Sequence, residues 1–313
     1  MLSAPAGNDI MFDEKLCEQG QFFCNKIWNA FRLIKGWQTA DIPQPEASRV
    51  ATEWFDSKLS EAILEIEDLF SKFRLNEALM AVYRLFRDEY SSWYLEMVKP
   101  AYGEPIDSKT YCQTLEYLDK LLRLLHPFMP FITEELWQHL AERKEGESIM
   151  YASLPVAGEV NKKLLDDVEY AKEIIAGVRG VRAAKNIPQK DALSLRIIGS
   201  ELPAYQEVIA KLANLSEVVA VAEKDAAAAS FMVGTTEFNV PLAQNIDVEA
   251  EIERLNKELD YLRGFLVSVM KKLSNERFVN NAPAQVVEVE RRKQADAETK
   301  IANIEQTLAA LKG

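Results

Sequence analysis

Histidine is nearly absent from this chain of 313 residues, which holds only His126 and His139, and cysteine is little commoner, with Cys17, Cys24 and Cys112. Three cysteines form no paired framework, and no Cys/His cluster has zinc spacing, so neither a disulfide scaffold nor a metal site is expected. The cysteines read instead as buried thiols of a reducing compartment. No apolar run reaches the roughly 18–20 residues of a membrane span. The stretch Met1 to Asp9 has neither the basic start nor the apolar core of a signal peptide. It reads as a linker, so a cytoplasmic fragment of a longer protein is expected. Positive charge is also short, with 37 Lys and Arg against 49 Asp and Glu and a net charge of −12. That excludes a surface that grips nucleic acid everywhere, though not a local basic patch. What remains is an ordinary globular balance, 48% hydrophobic and 27% charged, in a chain long enough for two or three domains.

The apolar period predicts a mainly α-helical protein. Leu16, Phe23, Ile27, Phe31 and Ile34 make one amphipathic stripe. Further helices are expected over about 46–71, 75–98, 108–125 and 132–142, separated by Pro43-Gln44-Pro45, Gly103-Glu104-Pro105 and the interruption His126 to Phe131. Long helices with short connections imply an antiparallel bundle over 1–155. A small α/β domain is expected over 156–242, with helices near 166–185 and 204–213, an alternating strand at Leu193–Ile198 and short β-prone runs at 218–221, 231–233 and 237–240. Over 243–313 the pattern changes to heptads. Ile252, Leu255, Leu259, Leu262, Leu266, Val269 and Leu273 alternate spacings of three and four, Asn280 to Pro283 signals a turn, and Ala297, Ile301, Ile304, Leu308 and Leu311 form a second ladder. An antiparallel coiled-coil hairpin, projecting as an arm, is expected.

Mapping the charge finds the basic patch. Residues 1–155 carry a net −9, but residues 263–293 carry Arg263, Lys271, Lys272, Arg277, Arg291, Arg292 and Lys293 against three glutamates. Cations concentrated at the far end of a projecting hairpin on an acidic protein are the footprint of a phosphate-binding arm. A solvated helix face is the plainer alternative.

Several motifs then carry a resemblance. Cys24-Asn25-Lys26-Ile27-Trp28-Asn29-Ala30 is similar to the N-K-[LI]-W-N-A signature that opens the anticodon-binding bundle of class I aminoacyl-tRNA synthetases. Leu125-His126-Pro127-Phe128-Met129-Pro130-Phe131 through Trp137 matches the closing signature, and the helix around Trp93-Tyr94-Leu95-Glu96 resembles the one between them. Lys272 to Phe278, Asn281-Ala282-Pro283 and Val286-Val287-Glu288 resemble the C-terminal arm of the bacterial valyl-tRNA synthetase family. Gln21-Phe22 departs from the Arg-Asn commoner there. The family's nucleotide-binding H-x-G-H and K-M-S-K-S signatures do not occur.

The resemblance implies a tRNA-binding C-terminal portion whose parent enzyme joins valine to tRNA(Val) using ATP with magnesium. The chain itself is expected to have no catalytic residues, no cofactor and no activity alone, to be a monomer, and to have tRNA(Val) and its own missing catalytic domain as partners. Anticodon contacts are implied over 21–37. There Asn25, Asn29 and Arg32 share a polar helix face, and Lys35 and Trp37 could serve an unstacked base with a cation and a stacking surface. With Gln21 they are the anticodon candidates, although Asn25 and Asn29 could equally tie the helix to the bundle or to the missing catalytic domain. Lys271, Lys272, Arg277, Arg291, Arg292 and Lys293 are the candidates for the tRNA elbow. Two weaker features are Glu134-Glu135, expected to complement the macrodipole of a helix start rather than share a proton, and Arg179, Arg182 and Lys185, a candidate phosphate-facing stripe. The competing function is a coiled-coil adaptor that binds a protein partner.

Overall fold

The computed structural model describes residues 14–222, 228–242 and 248–274, together with Arg291, Gln294 and Ile301. The described chain is mostly helical with a small sheet. It divides into two compact units: residues 1–180, 201–218 and 233–235 form one, and 181–200, 219–232 and 236–313 the other.

The first unit is built on α1 (Glu14–Lys35), α2 (Glu46–Ser71), α3 (Leu75–Arg84), α4 (Leu95–Val98), α5 (Ser108–Leu125), α6 (Pro130–Leu140) and α8 (Gln206–Ala213), with most of α7 (Lys162–Lys185). α1 buries Phe23, Ile27, Ala30 and Ile34. The expected stripe is therefore displaced at its edges, since Leu16 is exposed and Phe31 only half-buried. α2 and α5 keep the expected bounds. Pro45 precedes the first, and the Asp107 carboxylate accepts from the Thr110 N–H at 2.8 Å to cap the second.

The helix expected over 75–98 is α-helical only at its ends. Leu85–Tyr94 between α3 and α4 is π-helical. Its wider turn brings residues four apart nearer to one line than an α-helix does, and Phe86, Tyr90 and Tyr94 all point into the core. The rings of Tyr90 and Tyr94 stack at 5.4 Å, and Phe55 of α2 lies 5.0–5.3 Å from Tyr90, Tyr94 and Tyr117. Their hydroxyls are satisfied: Tyr90 donates to the Thr114 carbonyl, Tyr94 shares a hydrogen bond with Thr114 Oγ1, and Tyr117 donates to the Thr52 carbonyl. Burial raises the pKa of each phenol. α7 is joined to this core by a buried cation. Lys172 Nζ lies 2.6 Å from Glu89 and over the rings of Trp54 and Trp93, at 4.7 and 5.3 Å.

A two-stranded parallel ribbon links loops of the same unit: β1 (Thr39–Ala40) pairs with β2 (Ile106–Asp107), in the register Thr39↔Ile106. The second sheet has the order β4-β3-β6-β5, from β3 (Leu193–Ile198), β4 (Leu215–Val221), β5 (Ala228–Val233) and β6 (Thr236–Pro241). β3 and β6 are antiparallel, with Arg196 opposite Asn239. Leu193, Leu195 and Ile197 are buried in the alternation the sequence predicts. In α9 (Val248–Leu273), Leu259 and Val269 are buried and Leu262, Leu266 and Leu273 half-buried, while Tyr261, Phe265, Val267 and Met270 are exposed. That is the first heptad ladder. The turn at 280–283 and the return ladder lie outside the described residues, apart from Gln294 and Ile301, both helical in backbone and half-buried.

Three expectations are corrected. Cys17 and Cys112 are exposed, because helix position rather than residue type decides their burial; Cys24 is half-buried, and burial raises its thiol pKa. The last bundle helix starts at Pro130, which needs no N–H at that position, rather than near 132. Glu134 then falls beyond the first turn and cannot complement the macrodipole as expected. Its Oε2 instead accepts from Ser148 Oγ (2.7 Å) and the Ile149 N–H (3.1 Å), tying the following loop to α6, while Glu135 faces His139 at 3.2 Å. Burial opposes ionisation of Glu134, but hydrogen bonds from Gln138, Ser148 and Ile149 prevail and lower its pKa. A carboxylate whose folded pKa is lowered stabilises above the unfolded value, about 4.3, and loses that contribution as pH falls through the folded one. Glu134→Ala should cost about 1 kcal/mol at pH 7 and almost nothing at pH 2, read from urea midpoints across that range. An equal loss at both pH values would show that the ionised tether is not what holds this loop.

Candidate nucleic-acid interface

From residue 19 to residue 40 the chain has three cations, Lys26, Arg32 and Lys35, and no carboxylate, within a segment that is otherwise strongly acidic. The helical repeat turns Phe23, Ile27, Ala30 and Ile34 inward, so Gln21, Asn25, Asn29, Arg32 and Lys35 must point outward, and all five are exposed. Their side chains have no hydrogen-bond or ion-pair partner among the described residues. Among the described residues neither Asn25 nor Asn29 makes a bond that ties α1 to the bundle. Trp37 sits just past the helix end, where its backbone N–H donates to the Ile34 carbonyl and its ring is half-buried against the core.

Not all six candidates meet. Asn25 and Asn29 line an open cleft of about 340 Å³ together with Phe22, Lys26, Leu33, Ser91 and Glu96. Arg32, Lys35 and Trp37 lie at the C-terminal end of α1, away from that cleft, and Gln21 is on the helix surface toward its start. Sequence reasoning missed Phe22 and Lys26 as cleft residues, although they precede Asn29 by seven residues and three. Glu96 could not be found that way, since it comes from α4.

In the second unit Lys271 and Lys272 are exposed in the last turn of α9, and Arg291 is exposed as well. Arg277, Arg292 and Lys293 lie outside the described residues. The stripe Arg179–Arg182–Lys185 does not survive as a phosphate-facing surface. Arg182 is buried, 2% exposed, and its guanidinium donates to the Pro188 and Asp191 carbonyls at 2.9 and 2.8 Å. Burial lowers its pKa, with Asp191 opposing. Arg179 donates to the Leu212 carbonyl and packs over Trp93. Helical spacing set their angular relation but not which angle faces the interior.

Among the described residues no group of three His, Cys, Asp or Glu side chains could hold a metal ion, and no helix is long and apolar enough to cross a membrane. Two exposed sites of different design remain, a polar and cationic helix face and the end of a heptad helix. Family models match two separate segments of the chain, of which the second includes α9, while α1 lies before the first. Residues 52–197 match the anticodon-binding domain of tRNA ligase, and residues 247–312 match the valyl tRNA synthetase tRNA binding arm. Proteins named valine–tRNA ligase match the whole chain: 58% identity over 313 residues in Phocaeicola vulgatus, and 60% over 312 residues, 99% of the chain, in Parabacteroides distasonis. The chain belongs to the valyl-tRNA synthetase family. The likeness reaches Enterococcus faecalis at 37% identity over 327 residues, 99% of the chain. The chain spans 36% of the length of the first two relatives and 37% of the third. Within the valyl-tRNA synthetase family it carries the anticodon-binding and tRNA-binding arm domains, and the adaptor reading of the heptad segment is not favoured.

Proposed function

We propose that the chain is the tRNA-binding C-terminal portion of a valine–tRNA ligase. Its helical domain, 1–155, reads the anticodon region of tRNA(Val), and its heptad segment, 243–313, forms a coiled-coil arm that holds the tRNA elbow. The small α/β segment, 156–242, lies between them in sequence. Within a complete, monomeric cytoplasmic enzyme it delivers the tRNA to a catalytic domain that uses ATP with magnesium, and alone it is inactive. The observation that carries this reading is the carboxylate-free stretch of α1, in which Gln21, Asn25, Asn29, Arg32 and Lys35 are exposed and, among the described residues, without partners. An anticodon is a single-stranded loop whose splayed bases are read by hydrogen bonds on their edges and by stacking. Unsatisfied amides beside cations at a helix end supply both edge contacts and charge for the backbone.

Trp37→Ala tests the loop contact. If the indole stacks on a base, binding of valine tRNA weakens by about 1–3 kcal/mol, while binding of a minihelix holding only the acceptor and T stems is unaffected. Unchanged affinity for the full tRNA, in a protein that melts normally, would return Trp37 to a packing role.

A further inference from the structure

One exposed aromatic has no task in the fold. Tyr102 is fully exposed in the loop between α4 and β2. Single exposed apolar residues need no explanation in general, but this one is presented with care. The Glu104 N–H donates to the Ala101 carbonyl at 3.0 Å, closing a turn whose central residues are Tyr102 and Gly103. Gly103 has φ +85°, which only a residue without Cβ adopts freely, so the turn holds Tyr102 at its corner.

Both ends of the loop are anchored. At its start, Lys211 Nζ of α8 donates to the Met97 and Lys99 carbonyls at 2.6 and 2.9 Å, satisfying acceptors left free at the end of α4. At its finish, the Ile106 N–H donates to the Gln38 carbonyl at 2.8 Å, and Ser108 Oγ to the Ala40 carbonyl at 2.9 Å. The second anchor decides where Tyr102 is offered. It pins Ile106, four residues beyond Tyr102, to Gln38, the residue after Trp37, and so ties the loop to the segment that follows the cationic end of α1. The turn itself contributes Glu104 and no cation, and Asp41 lies just past β1. That is a poor place for phosphate. It suits the uncharged face of a base.

We propose that Tyr102 is a base-stacking residue, which receives an unpaired nucleobase of the RNA loop bound at the C-terminal end of α1. Lys211 is a positioning residue that holds the turn in place. The assignment rests on the anticodon reading above and adds a second stacking surface to Trp37, from a loop 65 residues further along the chain. A ring carried on an anchored turn costs less backbone freedom on binding than one on a mobile loop.

The test uses the whole chain and two RNAs: a valine tRNA transcript, and the same transcript with its anticodon loop replaced by a stable four-nucleotide loop. Wild type binds the intact transcript more tightly. Tyr102→Ala weakens binding to the intact transcript by roughly 5- to 150-fold, leaves binding to the loop-replaced transcript unchanged, and melts at the wild-type temperature. Tyr102→Phe, which keeps the ring, restores wild-type affinity. Lys211→Met lowers the same preference in part, with Tyr102 intact. Wild-type affinity of Tyr102→Ala for the intact transcript, while wild type still prefers it, overturns the assignment and leaves the anticodon reading standing. Equal weakening on both RNAs also overturns it, since the ring would then lie away from the loop. Equal wild-type affinity for the two transcripts overturns both.

Discussion

Replacing Lys271, Lys272, Arg292 and Lys293 together by glutamate will weaken binding of tRNA whatever its anticodon. It will also reduce the slope of log K against log salt, by roughly 0.7–0.9 for each phosphate left unneutralised and so by about 3 if all four cations engage. A chain of net −12 repels RNA on average, yet residues 263–293 hold seven cations against three carboxylates. In the described part of that segment the seam residues Leu262, Leu266, Val269 and Leu273 turn inward, and Lys271 and Lys272 are exposed. Lys271 and Lys272 thus lie off the apolar seam of α9, and a thermal melt of the variant separates a loss of folding from a loss of RNA binding. Contacts to phosphate do not read sequence, so the fall should be equal for cognate and non-cognate tRNA. An unchanged salt slope would remove the arm from the RNA.

Phe55→Ala should be the most damaging single change in the first unit. Phe55 is fully buried, with Tyr90, Tyr94 and Tyr117 around it at 5.0–5.3 Å and Trp54 at 6.0 Å. Removing a ring at the centre of such a cluster costs about 3–5 kcal/mol, partly as forfeited transfer energy and partly as an unfilled cavity. That approaches the whole stability of many domains. The phenols would also lose the wall that excludes water from their hydrogen bonds to Thr114 and Thr52. Thermal melts followed by tryptophan fluorescence should show a large fall in midpoint, since Trp54 adjoins the cavity. A small fall would mean that the π-helical segment can move in to fill the space.

Much of this was legible in the sequence. Wherever an apolar stripe repeats over several turns between proline or glycine signals, as in α2 and α5, even the ends were readable. What escaped is instructive. The π-helical turn at Leu85–Tyr94 leaves no separate mark, because Phe86, Tyr90 and Tyr94 satisfy an α-helical stripe nearly as well; the choice is made by how the rings stack against Phe55. β1 and β2 are two residues each, too short to show a period, yet they tie the loop that bears Tyr102 to the segment following α1. Spacing suggested a phosphate stripe at Arg179, Arg182 and Lys185, but periodicity fixes only relative angles, and carbonyl acceptors at Pro188 and Asp191 draw Arg182 inward. Lys172 shows the same limit. Only the fold reveals that its ammonium lies between Glu89 and two indoles. The anticodon candidates on α1 were readable because their face is defined by exclusion: once Phe23, Ile27, Ala30 and Ile34 go inside, Asn25, Asn29 and Arg32 have only one place to point.

On the function proposed above, the helical domain reads the anticodon of valine tRNA. The most direct measurement compares equilibrium binding of the wild-type chain to a valine tRNA transcript and to the same transcript carrying the anticodon of another amino acid, at one fixed salt concentration. Phosphate contacts and the elbow are identical in the two RNAs, so any difference arises at the anticodon. The account predicts a preference of about tenfold or more for the valine anticodon, the equivalent of about 1.4 kcal/mol, abolished when Arg32 and Trp37 are both replaced by alanine. Equal affinity for the two transcripts would contradict it.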